Sequence, residues 1–233
     1  MFLKIGHRGA RAYETENTIE SFRKAIELGV NAIECDVRRT KDGKPVICHD
    51  DDLKRVFGHD ARVDESTLKG LKKLTGNKIP SLGEALRFID GKVEKILIEL
   101  KETGYEKKVV DVIKKEKLKD RVIIVSFHEE ALAAIRSHNT EIETGIIFSK
   151  PRNPVAAALR LRAQYLLPLY KLVRTGDVEK AHEKDLKVIV WTINTSEEAK
   201  AYIVKGVDGI ASDRPDIFKG VSQPFTFHRR CRS

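Results

Sequence analysis

The chain has 233 residues, 41% of them hydrophobic, which is enough for one sizeable core and suits a single barrel. Its net charge is +9, but Lys and Arg are spread along the chain beside Glu and Asp instead of gathering with aromatics into one patch, which argues against nucleic acid as a partner. No apolar run approaches the roughly 18 residues of a membrane helix, the three cysteines make no closed disulfide set, and no zinc-ligand spacing occurs.

The N-terminus, MFLKIGHRG, enters an extended segment directly. It lacks a basic region followed by a long apolar stretch, so the sequence predicts no signal peptide and a cytoplasmic protein. The high charge and single Met resemble thermophile composition. Strands are predicted over residues 2–5, 32–37, 95–100, 121–126, 144–148, 165–168, 187–192 and 209–211. Amphipathic helical patterns fall at 18–28, 82–89, 105–116, 129–137, 154–162, 177–184 and 196–205. Asn17, three residues before Glu20, reads as the cap of the first helix, and Ser81 and Ser196 precede helices in the same way. Cys35 and Cys48 lie in apolar runs as small hydrophobes, and Cys231 lies in the tail.

Roughly eight strand-helix alternations predict an α/β fold of the (β/α)8 TIM-barrel type with a small insertion after the second strand. An open α/β sheet is the alternative, although no GxGxxG follows the first strand. Asp42-Gly43 between two extended runs signals a hairpin. The polar stretch 50–80 reads as an insertion over the C-terminal face, inside a barrel domain spanning 1–218. Residues 219–233 form a basic tail ending in FTFHRRCRS, either a frayed end or a contact for an anionic surface, which leaves peripheral membrane contact open. Oligomeric state is left open as well.

Two residues apart on a strand means the same face, about 7 Å apart. Glu34 and Asp36 in AIECDV therefore point together, with Cys35 opposite. Alone, the pair fits the wet face of a strand. Near the C-terminal end of a barrel strand it points into the site. KILIELKE repeats the pattern with Glu99 and Lys101, which by themselves read as a salt bridge. Three converging carboxylates need a cation, and an all-oxygen set favours one hard divalent ion, Mg²⁺ or Ca²⁺. His7 ends the first strand and His49 ends the hairpin's return strand, so the two make a candidate acid/base pair. His59, His128, His138, His182 and His228 carry no assigned role. With a divalent ion, Arg8 and Lys101 leave the cluster slightly positive, which suits a phosphodiester.

The stretch HRGARAYETENTIESFRKAIELGVNAIECDVRRTKDGKPVICHD resembles the opening signature of the glycerophosphodiester phosphodiesterases. The likeness continues through TLKGLKKL, IPSLGEAL, LIELK, VSF, VWTIN and GVDGIASDRP to about Asp216. Thr15 stands where that family usually has a proline. The resemblance implies a TIM barrel that hydrolyses glycerophosphodiesters to sn-glycerol 3-phosphate and an alcohol. It implies His7 and His49 as the acid/base pair, Glu34, Asp36 and Glu99 as metal ligands, and Arg8 and Lys101 as phosphate contacts. Trp191, at the end of the seventh barrel strand, and Phe127 fall on the wall of the substrate pocket, and a plain core role for Trp191 stays open. Asn17, Asn194, Asp208 and Asp213 match signature positions, with capping and loop-closing roles expected. In the scheme this suggests, one histidine deprotonates the glycerol 2-hydroxyl, a cyclic phosphate forms and water opens it; direct attack by water is the competing route. A lysophospholipase D or a phospholipase C-like lipid phosphodiesterase on the same site is the alternative reading. A phosphate-binding barrel without turnover and a cofactor-dependent isomerase are more distant ones.

Overall fold

The computed structural model describes residues 1–150 and 153–220; the FTFHRRCRS tail, with His228 and Cys231, lies outside the described residues. In chain order the elements begin β1 (Leu3–Gly6), α1 (Ile19–Glu27), β2 (Ala32–Arg39), β3 (Pro45–Ile47), α2 (Lys54–Phe57), α3 (Leu68–Leu74) and α4 (Leu82–Ile89). They continue with β4 (Lys95–Leu100), α5 (Glu106–Lys115), β5 (Val122–Ser126), α6 (Glu129–His138), β6 (Glu143–Phe148) and α7 (Pro154–Leu161). The last are β7 (Tyr165–Pro168), α8 (Asp177–His182), β8 (Lys187–Val190), α9 (Ser196–Val204) and β9 (Gly209–Ser212).

Eight of these strands are parallel and pair in the order β1, β2, β4, β5, β6, β7, β8, β9, with β9 pairing back onto β1, so the sheet closes. This is the predicted (β/α)8 barrel and not an open sheet. The ninth strand, β3, runs antiparallel to the outer end of β2 and pairs Val37 with Ile47. Its turn is the predicted Asp42-Gly43 hairpin, with Gly43 at φ +70°.

Period-two alternation splits the strand side chains into two cores. Outward residues such as Cys35, Val37, Ile98 and Ile124 pack under the helices. Inward residues, among them Ile5, Ala32, Leu97, Val125, Ile189 and Ala211, plug the barrel. The 50–80 segment carries a third, smaller core: Leu53, Val63, Leu71 and Ile79 pack with Val46 and Cys48 of the hairpin. It is therefore seated on the β2–β3 end of the barrel.

Two predicted caps need correction. Thr18, not Asn17, caps α1, its hydroxyl accepting from the Ser21 amide at 3.2 Å. Thr195, not Ser196, caps α9. In both cases a threonine one position away supplies the same hydroxyl geometry. Ser81 does cap α4, in a capping box with Glu84.

Candidate active site

The mouth of the barrel follows from its plug. Continuing each inward row by two residues leads from Ile5 to His7, from Ala32 to Glu34 and Asp36, and from Leu97 to Glu99 and Lys101. The same step leads from Val125 to Phe127, from Ile189 to Trp191 and from Ala211 to Asp213. His7, Arg8, Glu34, His49, Glu99, Lys101, Phe127 and Trp191 line one cavity of about 350 Å³. Asp36 sits directly beneath it, fully buried and in register with Glu99 on the neighbouring strand. All nine sequence-predicted site residues thus converge at this mouth.

Arg8 and Gly9 of HRG both adopt left-handed backbone, at φ 52° and 81°. A Cβ on Gly9 would stand 2.3 Å from the Ser21 hydroxyl, so only glycine fits against α1. The turn aims the Arg8 amide at Glu34 Oε2, 2.9 Å away, and brings Arg8 Nε within 3.2 Å of Asp36 Oδ2. Lys101 Nζ donates to Glu99 Oε1 at 2.6 Å and lies 3.4 Å from Asp36 Oδ1. One carboxylate oxygen from each of Glu34, Asp36 and Glu99 lies within 4.8 Å of the other two.

Burial and mutual repulsion act unequally on the three acids. Burial, then the charges of Asp36 and Glu99, push Glu34 well above the usual carboxylate range. Burial and Asp36 raise Glu99 to about 7. Burial also opposes ionisation of Asp36, but Lys101, Arg8 and His49 outweigh it and hold that carboxyl below its ordinary value. Among the described residues, Glu34 Oε1 and Asp36 Oδ1 are buried and accept no hydrogen bond, although Lys101 Nζ stands 3.4 Å from Asp36 Oδ1. Orphaned buried oxygens in an all-oxygen set fit a hard divalent cation.

Each histidine presents Nδ1 to a carboxylate: His7 to Asp213 Oδ1 at 2.7 Å, and His49 to Asp50 Oδ1 at 2.6 Å. Ionised carboxylates only accept, so Nδ1 carries the hydrogen and Nε2 is left for proton exchange. His7 Nε2 is 3.9 Å from Glu34 Oε2. Burial, with the charges of Lys101 and Arg8, lowers the basicity of His49 more than Asp36 and Asp50 restore it.

The opposite wall is apolar. Phe127 and Trp191 meet edge to face, with ring centroids 5.8 Å apart, beside Ile147, Leu167 and Ile189. Trp191 lines the cavity instead of lying sealed in the core, and its Nε1 donates to the Leu167 carbonyl at 2.7 Å.

Three residues do more than the sequence predicts. Asn17 is not a cap: its amide nitrogen donates to Asp36 Oδ2 at 2.8 Å and its oxygen accepts from the Asp36 amide at 3.2 Å. Asp213 is not merely loop-closing: it is the partner of His7, and Asn194 in turn donates to its other oxygen at 3.0 Å. Asp50 does the same for His49. The inward row through Ala211 was the available signal for Asp213. Asp208 does close a loop, accepting from the Val188 amide at 2.7 Å.

Comparison with known proteins identifies the family. Residues 7–217 match the model of the glycerophosphoryl diester phosphodiesterase family. A glycerophosphodiester phosphodiesterase of Caldanaerobacter subterraneus subsp. tengcongensis is 34% identical over 92% of this chain and 95% of its own. The crystal structure of a glycerophosphodiester phosphodiesterase from Thermotoga maritima superposes with a TM-score of 0.82 at 32% identity, covering 95% of this chain and 99% of that one. An Oleispira antarctica phosphodiesterase, solved in complex with the product sn-glycerol-3-phosphate, superposes with a TM-score of 0.86 at 28% identity, covering 93% and 94%. A barrel mouth with this set of side chains and a family match over nearly its whole length lead to one conclusion: the chain belongs to the glycerophosphoryl diester phosphodiesterase family and is a phosphodiesterase.

Proposed function

We propose that the chain hydrolyses glycerophosphodiesters to sn-glycerol 3-phosphate and an alcohol, with Glu34, Asp36 and Glu99 holding one divalent cation, Mg²⁺ or Ca²⁺, and His7 and His49 exchanging protons. The observation that carries this reading is the pairing of three buried carboxylates, two of them with orphaned oxygens, with two histidines whose Nδ1 atoms are both held by acids. When bound, the cation supplies Lewis-acid stabilisation of charge on the phosphoryl oxygens.

Arg8 and Lys101 add positive charge beside the phosphate. One histidine takes the proton of the glycerol 2-hydroxyl through Nε2, and that oxygen forms a bond to phosphorus as the ester bond to the departing alcohol breaks. The other histidine gives its proton to the leaving oxygen. Water then opens the cyclic phosphate, with the two histidines in exchanged roles. Asp213 and Asp50 keep the rings oriented and stabilise each imidazolium while it carries the proton. Phe127 and Trp191 exclude water from one side of the cavity and bury the apolar part of the substrate. In this reading residues 1–218 act as one catalytic domain, with 50–80 as its insertion.

Turnover followed by ³¹P NMR tests the scheme. Glycerophosphocholine and glycerophosphoethanolamine are expected to give sn-glycerol 3-phosphate with added Mg²⁺ or Ca²⁺, and little product after exhaustive chelation. Full activity without a cation would remove the ion from the scheme. Faster cleavage of lysophosphatidylcholine in a parallel arm would replace it with a lysophospholipase D.

A further inference from the structure

The 50–80 insertion reaches the catalytic machinery through a side chain that the proposed chemistry does not use. Arg55 stands on α2, a short helix with no buried residue of its own, anchored by the preceding Leu53 in the insertion's small core. Its guanidinium spans two carboxylates. Nε donates to Asp50 Oδ2 at 2.6 Å, Nη2 to Glu16 Oε1 at 2.6 Å and Nη1 to Glu16 Oε2 at 3.0 Å. The other oxygen of Asp50 holds His49 Nδ1. Glu16, buried, also accepts from Arg8 Nη1 at 2.9 Å. An unbroken chain therefore runs from His49 through Asp50, Arg55 and Glu16 to Arg8, and Arg8 reaches Glu34 and Asp36.

We propose that Arg55 is a positioning residue: its planar fork sets the placement of His49 relative to Arg8, and so couples the insertion to the proton-transfer and phosphate-binding groups of one site. This rests on the roles given to His49 and Arg8 above. Only a guanidinium holds two carboxylates at once in a fixed plane; an ammonium keeps the charge and loses the geometry. An ordinary surface ion pair of a half-exposed arginine contributes little. Here, however, one partner is a buried glutamate shared with Arg8 and, at 3.8 Å, Arg11, so removing Arg55 takes away both of its hydrogen bonds to Glu16 and leaves Asp50 free to turn. That turning moves the ring it holds.

The test compares Arg55→Met and Arg55→Lys with the control Arg62→Met, whose ion pairs with Asp51, Asp64 and Glu65 stay within the insertion. Arg55→Met is expected to lower kcat by about 10–100-fold, as loss of an outer partner does, with KM changed far less. Arg55→Lys recovers only part of the loss, and added guanidinium ion restores turnover to the Met variant but not to the parent. The His49 ring resonances, identified by their loss in His49→Gln, are expected to be single and sharp in the parent and in Arg62→Met. They broaden or double in both Arg55 variants. Thermal melts accompany each, and the Lys variant carries the comparison if the Met variant melts below the assay temperature. Turnover of Arg55→Met equal to that of Arg62→Met, full recovery with lysine, or unchanged His49 resonances would each overturn the proposal. If the parent hydrolysed no glycerophosphodiester, the proposed function would fall, while the His49 spectra would still decide whether Arg55 orders that ring.

Discussion

The barrel mouth has two unlike halves. At the mouth on the side of β1, β2 and β4, with the β2–β3 hairpin, the inward side chains are ionisable and each is held by at least one polar partner. Asp36 alone meets Asn17, Arg8 and Lys101. On the side of β5 to β8 the lining is Phe127, Ile147, Leu167, Ile189 and Trp191, fastened by one indole hydrogen bond and one ring contact. Parallel barrel strands underlie both sides, so much of the difference lies in which residues occupy the inward rows; the hairpin adds His49 and the left-handed HRG turn adds Arg8 on the charged side. Chemistry at phosphorus requires charges fixed to fractions of an ångström, and buried charges must be paired to exist at all. Holding the rest of a substrate requires only a shaped apolar surface, which tolerates change.

If this contrast is right, damage to the charged half costs the most. Asp36→Ala leaves Arg8 and Lys101 without their shared buried counter-ion. It should lose cation binding by calorimetry, abolish turnover and cost about 3–5 kcal/mol in urea denaturation. A fully active, equally stable variant would break the comparison at its root. His7→Ala and His49→Ala are expected to lose roughly 10²–10⁴-fold in kcat while remaining folded by circular dichroism. Asp213→Asn should lose about 10–100-fold by releasing the His7 ring. Retention of parental rates in the histidine variants would refute their assignment.

Across the mouth, Trp191→Ala should raise KM by roughly 10–200-fold, the scale of a lost apolar contact of about 1–3 kcal/mol, with kcat little changed. As the chain's single tryptophan, Trp191 also offers a direct signal: its fluorescence should change when glycerol 3-phosphate is added. A collapse of kcat instead would assign the apolar half a part in the chemistry.

The smallest effect concerns pH. Glu34 and Glu99 are raised in the folded, cation-free protein, Glu99 to about 7 from an ordinary 4.5. Their contribution to stability is therefore most favourable below the unfolded value and is lost as pH rises from there through the folded one. Asp36, lowered from 3.8, works in the opposite sense at more acid pH: its contribution is present above 3.8 and lost on acidification. A divalent cation needs the ionised forms, so it should raise the melting temperature by several degrees more at pH 8 than at pH 5. Equal shifts at the two values would mean that the acids are already ionised.

The sequence was legible wherever a local rule sufficed. The strand-helix alternation, the Asp42-Gly43 hairpin, the Ser81 cap and the shared face of Glu34 and Asp36 each depend on residues within a few positions of one another. The misreadings were of one kind. Asn17 lies just before a helix, where the local rule predicts a cap, but Thr18 takes that place and leaves Asn17, at φ 59°, free to reach a strand 19 residues away. The local pattern at Asp213 predicts only a loop-closing role, although its partner His7 is 206 residues earlier.

By itself, then, the sequence determined the barrel class, the inward rows and the residue types they carry, because period-two alternation and residue type are local properties. Only the tertiary structure decided which carboxylate serves which histidine and which oxygens remain without partners. It also decided how Arg55 of the insertion joins His49 to Arg8. Those pairings arise when the sheet closes and brings β9 beside β1 and the insertion over β2. No spacing along the chain encodes a distance that exists only after closure.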